Sequence, residues 1–178
     1  MGELWQLEPE RFTFFWDGPF SQWEAADFCV DGVDYTCAEQ FMMAEKARLF
    51  GDHDTLAWIL ESDDPATQKK LGRVVDGFDQ RIWEEDNEDG RPRCCSIVWR
   101  GNHAKFSQNP CLLDALLDTR GTTLVEASPD DRIWGIGLSE NDPRAMEREN
   151  WLGLNWLGET LTELREFFVA QAKTATPP

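Results

Sequence analysis

The chain has 178 residues, 41% of them hydrophobic and 12% aromatic, and its 34 acidic against 17 basic side chains give a formal charge of −17. This composition excludes a disordered or low-complexity chain and leaves enough apolar side chain for one sizeable core, while the charge sets the overall field against phosphate backbones, so a nucleotide ligand has to be captured locally. No apolar run approaches the roughly 20 residues of a membrane span, and Met1-Gly-Glu-Leu-Trp-Gln6 lacks the basic and apolar regions of a signal peptide, so a cytoplasmic protein with no membrane partner is expected.

In chain order, an N-terminal extension over 1–11 precedes a domain over 12–172 and a flexible tail over 173–178. Phe12 to Trp16 reads as a strand, and Ala26 to Tyr35, broken by Asp31-Gly32, as a hairpin. Thr36 to Phe50 has helical periodicity; Asp54 to Leu60 and Pro65 to Val75 follow as helices, the latter with Asp64 as cap before Pro65. Trp83 to Lys105 is mixed, interrupted by Asp89-Gly90-Arg91-Pro92. Leu112 to Leu117 is helical, Thr122 to Ala127 alternates as a strand, and Leu157, Leu161, Leu164 and Phe168 mark a terminal amphipathic helix. The fold class is therefore α+β, one compact, mostly helical domain with a few short strands. Cys29, Cys37, Cys94, Cys95 and Cys111 form an odd set without metal-type spacing and read as reduced packing residues; His53 and His103 stand alone, so neither metal nor cofactor is expected.

Three constellations carry chemistry. Glu39 and Lys46, seven residues apart, return to within about 20° of each other on a helix, amid Met42, Met43, Ala47, Leu49 and Phe50. Charges in the centre of an apolar stripe are costly unless they are paired or line a cavity, which points to a pocket wall; the competing reading is a capping box from Thr36 to Glu39, with Lys46 snorkelling to solvent. Asp130-Asp-Arg-Ile-Trp-Gly-Ile-Gly-Leu138 combines Asp131 and Trp134 with Gly135 and Gly137, which suits either close approach to a ligand or a tight turn before a core tryptophan. Asn155 opens the terminal helix either as an ordinary cap or as part of a phosphate site built on exposed amides. Trp83, Trp151 and Trp156 read first as core.

Taken in order, Gly18-Pro-Phe-Ser-Gln-Trp23, Tyr35 to Ala47, Lys105-Phe106, Asp131 to Gly137 and Asn155-Trp-Leu-Gly158 resemble the NADAR family, also called YbiA-like, over roughly residues 12 to 170. The resemblance implies an N-glycosidase that acts on riboflavin-pathway intermediates or on guanine carrying ADP-ribose on its exocyclic amine. For members that act as antitoxins it also implies a cognate ADP-ribosyltransferase toxin as partner. It carries catalytic roles to Glu39, Lys46 and Asp131, and substrate binding to Ser21, Gln22, Trp83, Trp134, Gly135, Gly137 and Asn155. Gln22 stands where many relatives have asparagine, and Ile136 where the YbiA-like branch has aspartate, which leans toward ADP-ribosylated guanine in a nucleotide or nucleic acid as substrate. A non-catalytic ADP-ribose-binding module and an acidic DNA mimic are the rival readings.

Overall fold

Alternation of phenylalanines with polar positions makes Phe12–Phe15 strand β1, and a short 3-10 turn at Gly18–Phe20 follows it. The computed structural model describes residues 9–88 and 90–175. Strands β2 (Phe28–Val30) and β3 (Val33–Tyr35) form the expected hairpin, whose two turn residues take positive φ, Asp31 at 53° and Gly32 at 79°. That pair of angles is what a two-residue hairpin turn requires.

Helices α1 (Ala38–Phe50), α2 (His53–Glu61) and α3 (Pro65–Gly72) come next, the second and third capped by Asp52 and Asp64 accepting from the amides of Thr55 and Thr67. A single turn, α4 (Gln80–Trp83), leads through the acidic segment to α5 (Arg93–Gln108) and α6 (Pro110–Asp118). Strand β4 (Thr123–Glu126) then pairs in parallel with β1, Phe12 opposite Thr123 and Phe15 opposite Glu126. Two 3-10 turns precede the terminal helix α7 (Trp156–Ala175). The fold is α+β and mostly helical, as expected.

The main core lies where α1 meets α2, α3 and α5, and where α7 covers β4, around Phe41, Phe106, Leu124, Leu157, Leu161 and Leu164. Val125, Ile136, Leu138 and Ala145 form a smaller cluster. Three expectations need correction. The segment read as mixed from Trp83 to Lys105 contains a continuous helix of 16 residues, α5; its buried face holds Asn102 and Lys105 beside Val98 and Phe106, and those polar residues obscure the apolar period. All five cysteines are free thiols, but Cys29 and Cys111 are exposed and lie outside the buried core. At the C-terminus α7 continues through Lys173 to Ala175, where a tail was expected; residues 176–178 lie outside the described residues. At the other end Glu10 bonds Arg148 and Thr123, and the Arg11 carbonyl accepts from the Thr123 amide, while residues 1–8 lie outside the described residues.

Candidate active site

The start of α1 decides what Glu39 is for. Gln40, not Glu39, reaches back: its Oε1 accepts from the Thr36 amide at 2.8 Å and from the Thr36 hydroxyl at 3.2 Å, while its Nε2 donates to the carbonyls of Ile59 and Ser62. The capping reading of Glu39 is thereby corrected, because the reach back to Thr36 is made by the next residue and the glutamate is released from that duty. Glu39 lines a cleft of about 730 Å³ and is only 5% exposed. Burial pushes its carboxyl up to about 6; Lys69, a hydrogen bond with Trp23 and Arg73 pull the other way, and Asp131 adds to the rise.

Lys46, two turns further on, lines the same cleft. Its Nζ donates to the Gly72 carbonyl at 2.7 Å and lies 3.8 Å from the centre of the Phe78 ring and 5.8 Å from that of Trp83. It is therefore held inside rather than snorkelling out. Burial lowers its proton affinity, and the Glu39 charge opposes that shift. The close approach depends on Gly72, where any Cβ would run into the Met43 side chain.

The facing wall is the end of β4 and the loop beyond it. Asp131 Oδ1 accepts from the amides of Ile133 at 2.9 Å and Trp134 at 2.8 Å, which fixes the carboxylate and folds the loop around it. Trp134 meets Trp156 edge to face at 5.9 Å, and both line the cleft. Ser21 and Gln22 arrive on the turn after Gly18–Phe20, which Lys105 clamps by donating to the carbonyls of Pro19 and Ser21. Gln22 is held in turn by Asn102, whose Nδ2 donates to its Oε1 at 2.8 Å.

Seven of the ten expected site residues thus meet in one cleft: Ser21, Gln22, Glu39, Lys46, Trp83, Asp131 and Trp134. Gly135, Gly137 and Asn155 do not line it. A Cβ on Gly135 would lie 2.9 Å from the Glu126 carbonyl, and Gly137 has φ of 68° beside Arg132 and Leu152, so these glycines permit backbone to pack on backbone. Asn155 is fully buried and bonds the Glu126 amide and the Leu124 carbonyl, riveting the start of α7 to β4. The first amides of α7, on Trp156 and Leu157, are already taken by the carbonyls of Ile133 and Trp134, which removes the reading of a phosphate site there. Trp83 and Trp156 line the cleft as well as packing on the core, whereas Trp151 meets the Phe12 ring at a tilt and does not line it.

The cleft also contains residues that the sequence reading passed over: Glu126, Trp23, Lys69 on α3 and Arg73 at the C-cap of that helix. Glu126 carried a usable signal. It follows Leu124 on the same face of its strand, so it repeats the pattern of an acid on an apolar face that singled out Glu39. Lys69 and Arg73 gave none, since cations four apart on a polar helix face read as a solvated surface.

The NADAR domain family matches residues 13–169 of the chain. The chain belongs to the NADAR family. It is 39% identical to N-glycosidase R617 of Acanthamoeba polyphaga mimivirus over 173 residues, which covers 90% of this chain and 98% of that protein. It is also 30% identical to N-glycosidase YbiA of Shigella flexneri over 149 residues, covering 84% of this chain and 80% of the relative. The NMR structure of YbiA from E. coli matches this NADAR fold with a TM-score of 0.74 at 24% identity, over 99% of this chain and 95% of that one.

Proposed function

We propose that this NADAR protein is an N-glycosidase that removes ADP-ribose from the exocyclic amine of guanine. The observation that carries the reading is that buried Glu39 and half-buried Lys46 line one cleft, a carboxyl with raised proton affinity and an amine with lowered affinity. Groups perturbed by burial inside a cleft mark sites of proton transfer and nucleophilic chemistry. The names of the two relatives, both N-glycosidases, support the reaction class. For the substrate, a cleft of about 730 Å³ lies in the range that takes a nucleotide-sized ligand. Among the described residues Lys69 and Arg73 are the only cations on its wall besides Lys46, suited to a diphosphate, and Trp23, Trp83, Trp134 and Trp156 offer faces for two bases.

Breaking the bond between C1′ and nitrogen builds positive charge on the ribose and negative charge on the departing amine. Asp131, fixed by two amides, supports the ribose, and Glu39 handles the proton. Lys46 supplies a second route: the glycosylamine opens to an imine, the neutral amine adds to C1′, guanine leaves, and water hydrolyses the resulting Schiff base. Borohydride added during turnover decides between the routes. A reduced adduct on Lys46 establishes the covalent one, and its absence leaves Lys46 an electrostatic role.

The test of function is incubation with guanine-ADP-ribosylated DNA and, separately, with ribosylaminopyrimidine phosphates, with products identified by mass. Free ADP-ribose and unmodified guanine are expected. Cleavage of the pyrimidine compounds alone would move the substrate to riboflavin intermediates. Tight ADP-ribose binding without cleavage of either would make the protein a binding module.

A further inference from the structure

Glu126 lines the cleft, and the reaction above gives it no task. Its backbone is clamped from three directions: β1 pairs with it through Phe15, its amide donates to Asn155 Oδ1 at 3.0 Å, and its carbonyl accepts from the Ile136 amide at 3.0 Å. Gly135 is bare of a side chain at the spot where one would strike that carbonyl. The carboxyl at the end of this rigid mount faces the cleft, yet its Oε2 is buried with no hydrogen-bond partner. Two other buried side-chain atoms among the described residues share that condition, on Ser96 and Asn102, and neither residue lines the cleft. A buried oxygen left unpaired is costly, and a fixed mount for it makes sense when a ligand supplies the partner.

We infer that Glu126 is a second catalytic carboxyl of this cleft, the acid that protonates the departing guanine amine while Glu39 acts as base toward the attacking water. The inference rests on the N-glycosidase reading. The atoms balance: the C1′–N electron pair goes to nitrogen, which takes the Glu126 proton; water oxygen bonds to C1′ and its proton passes to Glu39; a proton returned from Glu39 through the cleft or solvent resets the pair. The charges that act on this carboxyl gather in the same cleft. Lining the cleft with Glu126 are Glu39 and Lys46 from α1, Lys69 from α3 and Arg73 just past it, Glu84 just past α4, Asp17 beyond β1 and Asp130 and Asp131 beyond β4, whereas α7 brings only Trp156 and Leu157. Burial pushes Glu126 up to about 7, Asp131 and Glu39 adding to the rise and Lys69 opposing it, so this carboxyl carries a proton to give near neutrality. Two interacting acids titrate as a pair, and geometry assigns the donor: a neutral carboxyl whose Oε2 has no partner within the protein is free to hand its proton to a ligand atom.

The test compares wild type with Glu126→Gln on two substrates, an ADP-ribosylated guanine oligonucleotide and 4-nitrophenyl ADP-ribose, whose phenolate leaves without a proton. On the oligonucleotide the variant is expected to lose about 100-fold or more in kcat with KM within about 3-fold, and to lose the fall in kcat that wild type shows as pH rises past neutrality. On the nitrophenyl compound its rate stays within about 5-fold of wild type, a rescue that a merely structural role would not produce. Equal losses on both substrates, an unchanged kcat, or an unchanged pH profile would overturn the assignment. If wild type does not turn over the nitrophenyl compound, the pH profile on the oligonucleotide decides. If Glu126→Gln melts early, Glu126→Asp takes its place and must keep the alkaline fall at reduced kcat; a profile without that fall, or an undiminished kcat, is fatal to the idea. Wild type inert on every N-glycoside removes the glycosidase reading itself, while an active wild type with a fully active variant removes only the role of Glu126.

Discussion

Two glutamates, Glu39 and Glu126, are kept from water by the same cleft, and both bind protons more tightly in the folded chain than in the unfolded one. Folding therefore takes up protons. The stability tied to these groups is fully present below about pH 4.5 and is lost as pH climbs through 6 and then 7. A rise from 4.5 to about 7 corresponds to roughly 3 kcal/mol for Glu126. Glu126→Gln is accordingly expected to be more stable than wild type by on the order of 2 kcal/mol at pH 8 and no more stable at pH 4, measured by urea melts at the two values. Glu39→Gln belongs to the same scale: kcat falls about 100-fold or more while ADP-ribose affinity by calorimetry stays within a few-fold. A glutamine variant with near-normal turnover would return Glu39 to a structural role. For Lys46, substitution by arginine keeps a cation near Phe78 but cannot form an imine, so any borohydride adduct should vanish.

At the level of elements, the cleft is assembled by buried polar residues that hold neighbouring segments. Lys105 is fully buried on α5, its amine pushed down to about 8 by burial, and it joins that helix to the turn carrying Ser21 and Gln22. Lys105→Met fills similar volume but strands two carbonyls; a loss of about 2–4 kcal/mol in a urea melt is expected, with a raised KM because Ser21 and Gln22 lose their support. Asn155→Ala acts on the other wall. It removes the bonds to Leu124 and Glu126, and a loss of about 2–3 kcal/mol together with a lower kcat is expected. These elements were unequally legible. The hairpin, α2, α3 and β4 announce themselves through turn residues, caps and alternation, and α7 through its leucines at four and three. Helix α5 did not, because Asn102 and Lys105 on its buried face serve partners some 80 positions away in sequence. Local periodicity cannot register a hydrogen bond to a distant loop.

Across the whole molecule, a charge of −17 surrounds a cleft whose own cations are few. No helix among the described residues is long and apolar enough to cross a membrane. Recognition of a modified base in a long strand has to work against the surrounding field, whereas a modified mononucleotide carries little of that repulsion. Raising salt from about 0.02 to 0.2 M should therefore lower KM for a long modified oligonucleotide relative to that for the mononucleotide; a KM for the long strand that climbs steeply with salt would mean a cationic track that the cleft alone does not account for. By itself the sequence determined the fold class, the family and the two charges on α1, because caps, periodicity and spaced motifs are local and survive in one dimension. Only the tertiary structure decided that Gln40 relieves Glu39 of capping, that Asn155 and the two glycines build the wall rather than line it, and that Glu126, Trp23, Lys69 and Arg73 join the site. Each of those outcomes turns on which atoms are buried against which, and burial belongs to the packing of α1, α3, β4 and α7 together, not to any one of them.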